Sequence, residues 1–565
     1  SLIPGCFLNN YVAPLGLCVS ILHGDIRTGR PQSRPVASAP YRLNPIPIGS
    51  AKFHIFNYPT KPDPMKSLTI KLIQIVFFSF LLTTPAILQT PDWPRFRGVN
   101  GSGIAAPGEN PPLEFGVGKN LLWKTELMPG FSSPCISGDR IFLTGLDQEN
   151  KVLYVYAIEK SAGKMLWTRT QPVDTLERVH AVSNQANATP ATDGERVVVY
   201  FPSFGLLCYD FEGNEQWKVT IPVPISRFGT GTSPVIEGNH VLLNLSNDSE
   251  NPRLEAWDKR DGSVLWTTLL DPDPVSGIQG YSTPLICGDQ FVVYRSGEIV
   301  ASKIETGERV WSCATRTMGT SSPVLADGII YVGTHTSEGF GNPDRQMDLP
   351  DFDELVKKND ADGDSLISLE EFPEDLILEQ RPEVSEEFGG FFRFKGFFRY
   401  MDDDQDSLLN AEEWNSFRQS MQAFVTEHGL VAIKPGGKGD VTLTHQLWKQ
   451  PDGIPEVPSP LAFGGRIYEV RNGGIVTCVR ADDGEVIYQE KLGASGPYFS
   501  SPIMAGDRIY ACSRNGVVSV FKAGDDFQLL AQTKFDDHIN ATPAVVDNVL
   551  YVRTDQTLFA FGGKD

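Results

Sequence analysis

The stretch that decides the fold is SPCISGDRIFLTG, Ser133 to Gly145: a Ser-Pro pair, a short apolar run, a Gly-Asp turn and a second run rich in β-branched and aromatic residues. It recurs as SPVLADGIIYVGT from Ser322 to Thr334 and as SPIMAGDRIYACS from Ser501 to Ser513. The Gly-Asp or Asp-Gly pair supplies the positive φ of a tight hairpin turn, and the flanking residues favour strands. Working outward, the Ser/Thr-Pro marker occurs eight times, at Ser133-Pro134, Thr189-Pro190, Ser233-Pro234, Thr283-Pro284, Ser322-Pro323, Ser459-Pro460, Ser501-Pro502 and Thr542-Pro543. Self-similarity at this spacing marks a repeat architecture.

A second unit follows most hairpins: a strand, an acidic or Gly-containing turn, and a strand ending in an aromatic residue. YAIEKSAGKMLW ends at Trp167, YDFEGNEQW at Trp217, AWDKRDGSVLW at Trp266 and SKIETGERVW at Trp311. VRADDGEVIY places Tyr488 in the Trp position, and the last copy, around Leu529 and Leu530, has lost the aromatic. Two hairpins per period make four strands, one propeller blade. The final copy has a third strand, Thr557 to Phe561, and then the chain ends. Leu121 to Leu127, an orphan Trp-bearing strand ahead of the first hairpin, supplies the missing fourth. Pairing the two closes the ring and removes a sheet edge. The fold expected is therefore all-β, an eight-bladed propeller of four-stranded antiparallel blades.

These units resemble the pyrroloquinoline-quinone-like (PQQ-like) propeller repeat, an A-x-D-x-x-T-G-x-x-x-W stretch after an S-P hairpin, over Trp93 to Gly562 apart from one insertion. The opening DWPRFRGVNGSG, Asp92 to Gly103, resembles the start of secreted planctomycete-type propellers of this kind. The resemblance implies a fold shared by quinoprotein dehydrogenases and by the non-catalytic scaffold of the outer-membrane barrel-assembly machinery; it does not choose between them.

Successive Pro markers lie 39 to 56 residues apart, except for 137 between Pro323 and Pro460. The extra residues fall between the second and third strands of blade five, since GLVAIK (from Gly429) and HQLWK (Trp448) resume the blade. In a propeller that connection shares a face with the blade-to-blade loops, at the channel mouth. The insertion carries DADGDSLISLEE, Asp360 to Glu371, and DDDQDSLLNAEE, Asp402 to Glu413, which read as a pair of EF-hand loops. Ca²⁺ needs six to eight hard oxygens, and this spacing offers Asp360, Asp362, Asp364, the Leu366 carbonyl and Glu371 in the first loop. Asp402, Asp404, Asp406, the Leu408 carbonyl and Glu413 repeat the set in the second. Ile367 and Leu409 are apolar where paired loops form a short β contact. Helices are predicted on FDELVKKN ahead of the first loop, FPEDLIL after it and WNSFRQSMQAF after the second, with Trp414 and Phe417 on one face. Position 6, ordinarily Gly, is Ser365 in one loop and Ser407 in the other, which predicts a strained loop and weak binding.

The chain of 565 residues carries a formal charge of -21, and Glu338 to Met421 holds 23 acidic against 8 basic residues. That balance argues against nucleic acid and for a divalent cation. Met65, Lys66 and Lys71, the apolar run Leu72 to Leu82 and Thr84-Pro85-Ala86 read as a cleaved signal peptide, too short and interrupted for a stable membrane span. The expected organisation is upstream sequence over 1–64, signal peptide over 65–86, N-terminal extension over 87–120, propeller over 121–337, EF-hand insertion over 338–427 and propeller over 428–565. A periplasmic or secreted destination is expected from that leader. Cys135, Cys208, Cys287, Cys313, Cys478 and Cys512 form no C-x-x-C or Cys-Cys motif and read as small core residues.

The function expected is a non-catalytic, calcium-binding interaction scaffold with a protein or glycan at the channel-mouth face. The alternative is a PQQ-dependent quinoprotein oxidoreductase; the chain lacks the vicinal Cys pair common in such enzymes, so PQQ is not expected. A calcium-dependent enzyme with a site built from blade-connecting loops is a third reading. His180, His335 and His538 fall in connections on the mouth face but in separate blades, which argues against their meeting at one ion. No catalytic residue is assigned: no G-x-S-x-G, H-E-x-x-H or phosphate-cradling loop occurs.

Overall fold

The computed structural model describes residues 92–563 except 181, 227, 272–279, 316, 318, 335–348 and 380–390. The upstream segment, the signal peptide and His335 lie outside the described residues. The eight repeats form eight antiparallel sheets of the expected order, each running from a short first strand outward to the fourth. Seven take their strands in sequence order, blade five across the insertion, and the eighth joins the two ends of the repeat array. Leu121–Glu126 pairs with Thr557–Phe561, in the register Leu121 to Phe561, Trp123 to Ala560 and Glu126 to Thr557.

The Ser/Thr-Pro marker explains itself at the centre of this ring. Pro has no N–H, so placing it on the innermost strand removes a donor that would otherwise point unpaired at the axis. The preceding Ser or Thr, held extended by the Pro, donates its N–H to the hydroxyl of its counterpart in the next blade. Ser133 donates to Thr189, Thr189 to Ser233, Ser233 to Thr283, Thr283 to Ser322, Ser322 to Ser459, Ser459 to Ser501, Ser501 to Thr542, and Thr542 back to Ser133. All eight bonds measure 2.9–3.1 Å, a closed circuit of amide and hydroxyl groups.

The Trp strands fasten the outer rim. Trp123, Trp167, Trp217, Trp266 and Trp448 each donate Nε1–H, at 2.8–3.0 Å, to a backbone carbonyl at the third turn of the following blade: Lys160, Phe211, Lys259, Ile304 and Ala481. A Gly in that turn makes room for the indole; a Cβ on Gly163 would lie 2.4 Å from the Trp123 ring. Trp311 breaks the series and donates to Gln290 of its own blade at 3.1 Å. Its neighbour, blade five, has no such turn. The connection after Ile433 swings back instead, and Gly439–Asp440 adds a parallel fifth strand to blade four beside Trp311 and Ser312. The core between blades is almost wholly aliphatic and aromatic, and five of the six cysteines expected there are buried, Cys287 being half-buried; all six are free thiols.

The insertion leaves blade five after Ile329–Thr334 and returns at Gly429–Ile433, and these two strands pair directly, Thr334 opposite Gly429. It folds on a core of its own that includes Phe352, Leu355, Ile367, Phe372, Phe394, Phe398, Leu409 and Trp414. The helices Phe352–Asn359 and Ala411–Glu427 match the expected ones, and Trp414 stacks on Phe417 with ring centroids 5.9 Å apart. The helix expected on FPEDLIL does not form. Phe372 N–H bonds to Ser368 C=O at 2.9 Å, a single turn, and Pro373 then ends it because a helix there needs an N–H that Pro lacks. The chain continues instead as Ile377–Glu379, paired with Phe391–Arg393.

If the hydroxyl circuit ties the ring, Ser133→Ala strands the Thr542 N–H and is expected to cost about 1–3 kcal/mol. Ser133→Thr is expected to be near-neutral, since Thr serves at three other positions of the circuit. Denaturant unfolding of both variants checks this; equal midpoints would contradict it.

Candidate functional site

Two acidic loops dominate the chemistry of the insertion, and their backbones are wired alike. Asp360 accepts from Gly363 N–H at 2.7 Å and Ser365 N–H at 3.0 Å, Asp364 from Leu366 N–H at 2.8 Å, and Glu371 from Ala361 and Ser368 N–H, both at 2.9 Å. In the second loop Asp402 accepts from Asp406 and Ser407 N–H, both at 3.1 Å, Asp406 from Leu408 N–H at 2.8 Å, and Glu413 from Asp403 N–H at 2.9 Å and Asn410 N–H at 3.0 Å. The loops pair back to back through Ile367 and Leu409, the apolar contact expected from the sequence. Ser365 and Ser407 take φ of +65° and +72°, the left-handed turn that ordinarily calls for Gly.

This wiring gathers carboxylate oxygens. Asp360, Asp362 and Glu371 bring ligand atoms within 4.8 Å of one another, as do Asp402, Asp404 and Glu413. Asp364, Leu366, Asp406 and Leu408 are on the same loops but outside these two groups of three. The Ser368 and Ala361 amides and the Ser368 hydroxyl hold the Glu371 carboxyl down at about 2. Asp404 is held down by the Asp406 amide but raised overall by burial and by the charges of Asp406, Glu413 and Asp402. Like charge is therefore crowded at the second loop, the condition a bound cation relieves.

On the face where blades connect, the structure shows polar groups that the sequence pattern does not reveal. Of the three histidines, His538 lies with Asp537 and Asp555 in a third group with ligand atoms within 4.8 Å of one another, while His180 packs edge-on against Phe228 at 5.5 Å. Asp537 and Asp555 come from different segments, the connection into blade eight and the turn before Thr557–Phe561, so no local motif announces them. Glu177, buried in the connection into blade two, accepts from Thr230 Oγ1 at 2.7 Å, which in turn accepts from Asn247 Nδ2 at 2.8 Å. Burial raises the Glu177 carboxyl to about 7 against the pull of the Thr230 bond. Its second oxygen, Tyr200 OH and Asn247 Oδ1 are buried without a partner among the described residues.

Glu469 is the other anomaly. It sits in the second strand of blade six where the matching residues of other blades are aliphatic, for instance Leu143, Val199, Leu243, Val293 and Val332. Its side chain points at blade five, where a Cβ on Gly333 would lie 2.8 Å from Oε1. Both oxygens are buried without a partner among the described residues, and burial pushes the carboxyl to about 8.

A family profile described as outer membrane protein assembly factor BamB matches residues 117–222, 154–367 and 438–532, more than half of the chain. The chain belongs to this family. A curated relative named outer membrane protein assembly factor BamB, from Moranella endobia (strain PCIT), is 24% identical over 213 residues, 35% of this chain. That match spans 50% of the relative's length. Among solved structures, BamB from Moraxella catarrhalis is similar at TM-score 0.45 and 12% identity, covering 78% of this chain and 98% of that one. A europium-containing methanol dehydrogenase is similar at TM-score 0.49 and 11% identity, covering 84% and 99%. No described helix is long and apolar enough to cross a membrane.

Because Glu469 is neutral in the folded chain up to about pH 8 but ionises near 4.5 when unfolded, its contribution to stability is present in full below pH 4.5 and lost as pH rises through 8. Thermal midpoints of the wild type are therefore expected to fall between pH 5 and pH 9. Glu469→Val is expected to flatten that slope and to stabilise most at pH 9, with Glu177 supplying a residual slope near 7. An unchanged slope in the variant would contradict this.

Proposed function

We propose that the chain is a non-catalytic interaction scaffold working outside the cytoplasm, and that two Ca²⁺ ions order its acidic insertion as a pair of EF-hands. The observation that carries this reading is the twin loop geometry: two twelve-residue loops, alike in backbone wiring, each gathering three carboxylates and joined through Ile367 and Leu409. Asp360, Asp362, Asp364, the Leu366 carbonyl and Glu371 would hold one ion; Asp402, Asp404, Asp406, the Leu408 carbonyl and Glu413 would hold the other. The partner is a protein or glycan met at the mouth face, from which the insertion departs. Similarity to a relative named as an assembly factor favours a scaffold over an enzyme.

The reading is tested by calorimetric titration of the whole chain with Ca²⁺. Two ions are expected to bind in the range of roughly 0.1–1 mM, weak because each loop turns through a left-handed Ser. Glu371→Gln with Glu413→Gln should abolish the heat, and Ser365→Gly with Ser407→Gly should tighten binding by up to about tenfold per site. Absence of saturable binding, or binding that survives both Gln substitutions, would overturn it.

A further inference from the structure

In blade eight the turn between the second and third strands, 554–556, meets the connection that enters the blade, 535–543, on the mouth face. Asp555 N–H donates to His538 C=O at 2.9 Å and Gln556 N–H donates to Asp537 Oδ2 at 3.2 Å, so the two segments are held against each other. The same turn grips the segment that closes the ring: Gln556 C=O accepts from Leu127 N–H at 2.8 Å and Asp555 C=O from Gly130 N–H at 3.1 Å. Whatever fastens this turn therefore fastens the junction of blades eight and one.

Three ligating side chains converge there. Asp537, His538 and Asp555 each offer an atom within 4.8 Å of the other two. Both carboxylates are already oriented, Asp537 Oδ1 by His538 N–H and Asp555 Oδ1 by Asn540 Nδ2, each at 2.8 Å. The Oδ1 of that Asn540 amide is buried without a partner among the described residues, a further oxygen beside the group. Asp555 Oδ2 is left facing His538 Nδ1 at 3.7 Å, too far for a hydrogen bond. Two ligands on one first-row cation, with bonds of about 2.0–2.2 Å, stand about 3–3.5 Å apart, so the gap is closer to the size of an ion than to that of a hydrogen bond. Burial raises the Asp555 carboxyl against the Asn540 bond and the Asp537 charge raises it further, while His538 and Arg514 offset part of the rise.

The cluster also opens to solvent. The His538 side chain is 54% exposed and that of Asp555 20%, so an ion reaches it directly and water completes the coordination. Its donor set differs in kind from that of the acidic loops. Ca²⁺ takes oxygen ligands, whereas one imidazole nitrogen with two carboxylates suits Zn²⁺.

We infer that Asp537, His538 and Asp555 bind one Zn²⁺ ion on the mouth face, and that this ion staples the connection into blade eight to the turn that grips the closing segment. Asn540 is a positioning residue, since it holds Asp555 with its second oxygen toward His538.

The test titrates the full chain with Zn²⁺ by calorimetry, with Ca²⁺ held at millimolar concentration to occupy the acidic loops. One saturable Zn²⁺ site is expected, and the thermal midpoint should rise with Zn²⁺ because the ion binds the closed ring and not the unfolded chain. His538→Ala, a change at an exposed side chain, is expected to lose both the binding and the rise. Asn540→Ala is expected to weaken binding by roughly ten- to a hundredfold, the usual effect of losing a group that orients a ligand. Crystals grown with Zn²⁺ should show an anomalous peak at the zinc edge among the three side chains. Absence of saturable binding, binding and stabilisation that His538→Ala leaves intact, or a zinc peak confined to the acidic loops would overturn the inference.

Discussion

One interaction organises this molecule: a backbone N–H of each blade given to the Ser or Thr hydroxyl of the next, eight times around. A propeller blade on its own exposes the inner edge of its first strand and has no packed neighbour for either face. The Ser/Thr-Pro pair resolves both problems in two residues, because the Pro deletes one unpaired donor and the Ser or Thr exports another to the adjacent blade. The circuit is closed at Thr542 and Ser133, at the inner edge of the same sheet whose outermost strand is Leu121–Glu126. Closure at the centre and closure at the edge thus coincide at blade eight, and the indole of Trp123 reinforces them at the rim through Lys160.

A ring fastened at both radii tolerates a long excursion. Blade five keeps its register across the insertion, with Thr334 opposite Gly429 and a 2.7 Å bond from Thr334 Oγ1 to Gly429 C=O at the point of departure. The insertion brings its own aromatic core, including Trp414, whose Nε1–H donates to Pro350 C=O at 2.9 Å. Most of the protein's net negative charge lies in it, so its electrostatic self-repulsion acts on a unit that the blades do not need for their packing. The ring in turn has its own polar interior, where Glu177, Glu469 and Arg97 each keep buried polar atoms without a partner among the described residues.

What could be read from the sequence was whatever repeats or obeys a local spacing. The Ser/Thr-Pro markers, the Trp strands and the orphan strand at Leu121 each recur or complement one another along the chain, and they set blade count and closure. Ser365 and Ser407 were legible because a twelve-residue loop fixes which residue turns left-handed, and the backbone confirms that turn at both. FPEDLIL misled because its apolar spacing suits a helix while Pro373 forbids one. The parallel strand at Gly439–Asp440 and the unusual partner of Trp311 follow from one atypical connection in blade five, which has no sequence counterpart to compare. Asp537 with Asp555, Glu177 with Thr230 and Asn247, and Arg97 with Pro460 are pairings between distant segments. Only the closed ring brings them together, so no linear pattern contains them.

On the proposed reading the blades stand on the hydroxyl circuit, whereas the insertion would depend on bound Ca²⁺ for its order. Hydrogen exchange read by mass spectrometry, with the chain in millimolar Ca²⁺ and again after chelation, tests it most directly. The account expects peptides from 349–379 and 391–427 to lose protection on chelation while Ile329–Thr334, Gly429–Ile433 and the remaining blade strands keep theirs. Unchanged exchange in the insertion, or a uniform rise across all eight blades, would contradict it.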